Sequence, residues 1–259
     1  MIFTFFVLLT ALSLFVGMVV LLEVGRRIGI RRRQRDAEGA REGVGAVEGA
    51  IFALLGLLIA FTFSGAAARF DQRRHLIVEE TNAIGTAYLR VDLVAPDLQS
   101  ALRESFRRYL EARLDVYRKI PDMPAVEAAL AEVNRLQKDI WRQAVAATRA
   151  PGSHPNLTIL ILPALNAMFD ITTTRTMAMQ IHPPMVIFAL LFALALVSSL
   201  PVGYGMAAGK YCSWFSRICF AVVVAVAVYV ILDIEYPRLG LIRVDAFDQA
   251  LVELRESMK

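Results

Sequence analysis

Four long apolar runs organise the chain. The first, Ile2 to Leu22, has 21 residues without a charge, enough to cross a hydrocarbon core about 30 Å thick. The second runs from Gly49 to Ala68 and stops at Arg69; the third spans Pro184 to about Met206, and the fourth about Trp214 to Leu232. Nothing basic precedes Ile2, and Glu23 and Arg26 follow the first run directly. A cleaved signal peptide has the opposite flanks, so the run is expected to be a retained span with its N-terminus outside. Tyr204, Tyr211 and Trp214 stand where an interfacial aromatic belt belongs. The short turn from Gly203 to Arg217 predicts that the last two spans form an antiparallel hairpin.

Between spans two and three lies a polar insert of about 115 residues whose apolar positions recur at helical spacing. From Asp97 to Lys119 the stripe is Leu98, Leu102, Phe106, Tyr109, Leu110, Leu114 and Tyr117, one face of an amphipathic helix. Pro121 and Pro124 interrupt it. Asp122 is placed to cap a second helix through Val126, Leu130, Val133, Ile140 and Trp141, which the loop Ala150 to Asn156 ends. A last segment, Leu157 to Ile181, starts apolar and carries Asn166, Asp170 and Arg175. No strand-period stretch stands out. The expected fold is an all-α membrane protein with four transmembrane helices and a long helical insert between the second and third. Its expected divisions are 1–68 (first two spans and their basic loop), 69–183 (stalk and helical domain), 184–234 (last two spans) and 235–259 (tail).

Phe70 to Val94 holds one glycine and no proline, so one helix is predicted from Gly49 to about Val94. At 1.5 Å per residue it is roughly 70 Å long, more than twice the bilayer core, and forms a stalk.

Composition agrees: 57% hydrophobic, 20% charged, mean hydropathy +0.53. That concentration of apolar residues in blocks excludes a disordered chain and a purely water-soluble enzyme. The net charge of +4 is too small and scattered to indicate nucleic acid. Charge is informative where it clusters. The connection Glu23 to Glu48 holds Arg26, Arg27, Arg31, Arg32, Arg33, Arg35 and Arg41, and the turn between spans three and four adds Lys210 and Arg217. The positive-inside rule puts these loops in the cytoplasm, with the insert and both termini outside.

Candidate chemistry is sparse. Gly39, Gly43, Gly45 and Gly49 are followed by no Gly-Lys-Ser/Thr, so helix contact through Gly45 and Gly49 is the better reading. His75 and Glu79 share a helix face with Glu80 alongside, read as a solvated or inter-helix hydrogen-bonding face. Cys212 and Cys219, seven apart, are read as buried small apolar residues. Asp170 and Arg175 are a candidate buried ion pair near the membrane; Asp233 and Glu235 mark the end of the fourth span. No nucleophile elbow or Cys-His arrangement is recognisable, and no enzyme, cofactor or metal site is expected.

The second span is the informative one. Gly56, Ala60, Ser64 and Ala68 form a small-residue stripe suited to close helix packing. Ala53, Leu57 and Phe61 form a second stripe on an adjoining face, so the two can serve different neighbours.

The stretch from Ala60 to Arg74 resembles the second-span signature of bestrophin channels. Phe61, Arg69, Phe70 and Arg74 match in register; Gln72 stands where that family usually has glutamate. Along nearly its full length the chain is similar to bacterial membrane proteins called bestrophin-like, through this stretch, Asp170 to Arg175, His182 to Pro184 and Leu239 to Arg243. The resemblance implies a homopentamer in the lipid bilayer of a bacterial inner membrane that passes inorganic ions, anions slightly favoured, along a pathway lined by the second span. Ala53, Leu57 and Phe61 would form an apolar neck able to gate by excluding water, and Arg69, Arg73 and Arg74 would ring one mouth. It also implies that the arginine end of this span faces the cytoplasm, against the charge rule. No acidic calcium loop is present, so calcium gating is not expected. The alternative is a non-conducting membrane scaffold or sensor that acts through the insert.

Overall fold

The computed structural model describes residues 2–35, 44–207 and 214–258; Gly39, Gly43, Arg41, Lys210, Tyr211 and Cys212 lie outside them. The described residues form eight α-helices: α1 (Ile2–Arg35), α2 (Val44–Leu89), α3 (Pro96–Arg118), α4 (Met123–Thr148), α5 (Leu157–Gln180), α6 (Met185–Met206), α7 (Trp214–Glu235) and α8 (Gln249–Ser257). Four segments are long and apolar enough to cross a membrane, and they contain the four runs read from the sequence. The chain divides into two compact units, one of residues 1–70 and 182–242, the other of 71–181 and 243–259.

In the first unit α1 packs on both α6 and α7. Val7, Ala11, Leu14, Met18 and Leu22 recur every three or four residues and form its buried seam. Gly25 and Gly29 continue the seam because the backbones there nearly touch. A Cβ on Gly25 would lie 2.1 Å from the Leu200 carbonyl oxygen, and one on Gly203 would lie 2.0 Å from that of Leu22. Membrane helices close on one another where side chains are smallest. α6 and α7 each pack on α1 and scarcely on each other, so the hairpin expected of the last two spans is not a packed pair. Cys219, expected to be buried, is exposed on α7. An apolar side chain on a membrane helix has no need of a protein core, since lipid tails serve equally well.

In the second unit α3 and α4 form a hairpin. Asp122 caps α4 as expected, its carboxylate accepting from the Ala125 N–H at 3.2 Å. The predicted stripes of both helices face the core, with Phe106, Tyr109, Leu110, Val133 and Ile140 fully buried beside Ile161 and Leu165 of α5. Past Leu89 the chain makes one 3-10 turn, Arg90–Leu93, and Ala95 is extended before Pro96, as a residue preceding proline prefers. α8 adds Leu251 to this core.

Candidate functional site

At 1.5 Å per residue the 46 residues of α2 extend about 69 Å, in line with the predicted stalk. Its membrane half is sparsely covered: only 11% of its most apolar window is buried, against 28% for α1 and 33% for α7. Leu55 and Ala66 are its buried apolar positions. Ala53 is exposed, as are Leu57 at 52% and Phe61 at 67%. Gly45, Gly49, Gly56, Ala60 and Ser64 are exposed too, and a Cβ on any of the three glycines would meet nothing within 4 Å. Both stripes are therefore uncovered within the chain, and the tight glycine contacts belong to α1 and α6 instead. The spacing of Gly25 and Gly29 was the available signal for them. Thr62, one of two hydroxyl residues in this run, returns its hydroxyl to the Leu58 carbonyl at 2.7 Å and is satisfied within its own helix.

The membrane half of α2 ends at a polar junction. Glu235, fully buried, accepts from Arg69 Nε at 3.0 Å and Nη2 at 2.6 Å, and lies 3.0 Å from His182 Nδ1. The His182 ring stacks on Tyr236, centroids 4.5 Å apart. Asp233, also fully buried, accepts from the N–H groups of Leu241 and Ile242 at 2.9 and 2.7 Å. It thereby holds the turn that follows α7. A Cβ on Gly240 would lie 2.2 Å from Asp233 Oδ1, which is why glycine stands in this turn. Asp233 and Glu235 thus organise the junction as well as end a span. Two acids closing an apolar run were the legible hint, since charge at that depth needs partners.

Further along α2 the arginines are also engaged. Arg73 is buried and donates to the carbonyls of Ala178 and Ile181 at 3.2 and 3.0 Å. Arg74 bonds Asp71 at 3.0 Å and lies 4.3 Å over the Phe247 ring. None of the three arginines read as a pore mouth is a free cation. His75 and Glu79 are exposed.

Glu80 instead sits in a closed network. Its carboxylate accepts from Arg113 Nε at 2.5 Å and from Arg175 Nη1, and Arg175 Nη2 donates to Asp248 at 2.7 Å. Glu80 and Arg113 are fully buried and Arg175 nearly so. The Arg175 guanidinium lies 3.8 Å over the Tyr117 ring, whose hydroxyl accepts from Arg113. Burial alone disfavours the Arg113 cation, but Tyr117 and Glu80 outweigh it and hold its pKa above that of an ordinary arginine. The pairing expected for Arg175 is corrected: Asp170 is exposed and Arg175 belongs to Glu80 and Asp248. Residues five apart on a helix point about 140° away from each other, so the two cannot share a face. Arg113 was detectable, because it falls in phase with Phe106, Tyr109 and Tyr117.

The family profile described as Bestrophin-like domain matches residues 11–246. Two crystal structures of point mutants of a bacterial bestrophin homologue from Klebsiella pneumoniae have the same fold. One is 15% identical, covering 94% of this chain and 97% of that one with a TM-score of 0.68. The other is 13% identical, covering 95% and 98% with a TM-score of 0.67. No curated protein matches the chain significantly.

Proposed function

The chain belongs to the bestrophin-like family, and from that premise we propose that it is a homo-oligomeric ion channel whose pathway is lined by α2. The observation that carries this is the uncovered membrane half of that helix. An apolar span exposed on two adjoining stripes must be covered by lipid or by copies of itself. The small stripe of Gly56, Ala60 and Ser64 suits close approach of a neighbouring copy. The Ala53, Leu57 and Phe61 stripe would then face the axis, where a ring of apolar side chains closes a pathway by excluding water. By the resemblance to bestrophins the ring has five copies.

The neck carries no charge, and its nearest arginines on α2 are occupied by Glu235, by backbone carbonyls and by Asp71. The reading is therefore of an apolar-necked pore, and the anion preference expected from the sequence loses its electrostatic support. The test is ion flux from liposomes holding the purified protein, with oligomeric mass measured on the same sample. Phe61→Ala should raise the flux of a closed ring. A monomer or dimer without flux would overturn the channel in favour of the scaffold.

A further inference from the structure

α1 is too long for a membrane. Its 34 residues extend about 51 Å, whereas the apolar run Ile2 to Leu22 alone fills a core of about 30 Å. The remaining 13 residues, Glu23 to Arg35, therefore stand at headgroup level and beyond. Six of them are arginines.

These arginines divide by what holds them. Glu23 takes Arg26 at 2.7 Å, Arg27 at 2.9 Å and, from α7, Arg217 at 2.9 Å. Arg33 donates to the Ala207 carbonyl at 3.3 Å. Arg31, Arg32 and Arg35 are exposed and make no ion pair among the described residues. Glu48, another carboxylate in this connection, lies against Gly205. Arg27, Arg31 and Arg35 follow one another at four-residue spacing, a row in which like charges repel. The helix C-terminus favours cations in general, but it does not account for three without an ion pair among the described residues. The Arg217–Glu23 bridge sets the first turn of α7 beside this level. There Trp214 and Phe215 are 58% and 75% exposed, with the Arg217 guanidinium 4.6 Å over the Trp214 ring. Exposed aromatics beside exposed cations are the composition of a membrane interface.

We propose that the arginine end of α1 binds the headgroup phosphates of anionic phospholipids through Arg31, Arg32 and Arg35. A lipid surface fits better than an acidic protein or nucleic acid, because Arg31, Arg32 and Arg35 stand at the level of Ala207, where the third apolar run ends and Arg33 meets its carbonyl, and because half-exposed Ile28 lies one helical turn before Arg31 and Arg32. Each cation near an anionic surface strengthens the attraction about fivefold.

The test is native mass spectrometry of the full-length protein from detergent containing equal phosphatidylglycerol and phosphatidylcholine. The unaltered protein should retain phosphatidylglycerol preferentially. The triple variant Arg31→Gln, Arg32→Gln, Arg35→Gln should lose that preference by about fivefold per residue. A control with Arg118→Gln, Arg135→Gln and Arg142→Gln, exposed arginines of the other unit, should keep it. Should the triple variant lack native circular dichroism, Arg32→Gln alone must show the single fivefold step. Equal retention of both lipids, an unchanged preference in the variant, or displacement of the lipid by the same concentration of free glycerol phosphate would each overturn the proposal.

Discussion

The two halves of α2 are one continuous helix under opposite regimes. From Asp71 onward its residues are tied into a core: Leu76, Ile77, Ile84 and Ala87 are buried, and Glu80 joins two arginines from other helices. Before that boundary the same helix exposes Leu54, Leu57, Phe61 and Phe63. Water drives most of the distal half's apolar residues into that core, Val78 and Leu89 staying exposed, because each exposed aliphatic side chain there has a hydrophobic cost. In the membrane half lipid removes that cost, so the face need not be covered within the chain. Mutations in α2 should therefore separate, distal ones acting on the stability of the folded chain and, if the proposed function holds, membrane ones on assembly and conduction.

The largest expected effect is at Glu80. Glu80→Ala leaves Arg113 buried without its carboxylate and should cost about 3–5 kcal/mol, read as a fall in thermal unfolding temperature in detergent. Little or no fall would mean that the distal half is not the stable partner in this comparison. Next is Gly203→Ala, where the added methyl meets the Leu22 backbone and α1 and α6 must part. A cost of about 1–3 kcal/mol is expected from overpacking. For Gly56→Ala nothing in the chain meets the added methyl, so a cost beyond about 0.5 kcal/mol would come from a neighbouring copy on the small stripe. Asp122→Ala removes the cap of α4 and should cost about 1 kcal/mol, measured the same way. Smallest in stability, within about 0.5 kcal/mol, is Phe61→Ala, whose effect should appear in flux instead. A large loss of protomer stability there would place Phe61 in a core and end the contrast between the halves.

Much of this was legible because hydrophobic period is a local property. Amphipathic stripes placed α3 and α4, Asp122 announced its cap, and the absence of helix breakers after Arg69 predicted the long α2. The site was legible only in part. Leu57 and Phe61 share a stripe at first reading, yet spacing alone favours lipid or a neighbour, and only the resemblance to bestrophins brings in an axis. Arg175 was singled out but matched to the wrong acid, since its partners lie 95 and 73 residues away in the chain. Glu235 looked like a boundary marker until Arg69 and His182 were found on it.

What the sequence determines by itself is whatever follows from chain-local energetics. That covers the helical class, the four spans set by bilayer thickness, the caps and breaks, and the position of the cationic cluster after the first span. What only the tertiary structure decides is which of many chemically equivalent groups meet. The charged residues include 28 basic and 24 acidic side chains, and nothing in their order says that Glu80 takes Arg113 and Arg175, or that Arg31, Arg32 and Arg35 take no carboxylate among the described residues. Coulomb attraction is the same for any pair brought equally close. Helix packing chooses the pairs, through the geometry of seams such as Met18, Leu22 and Gly25 that no single residue specifies.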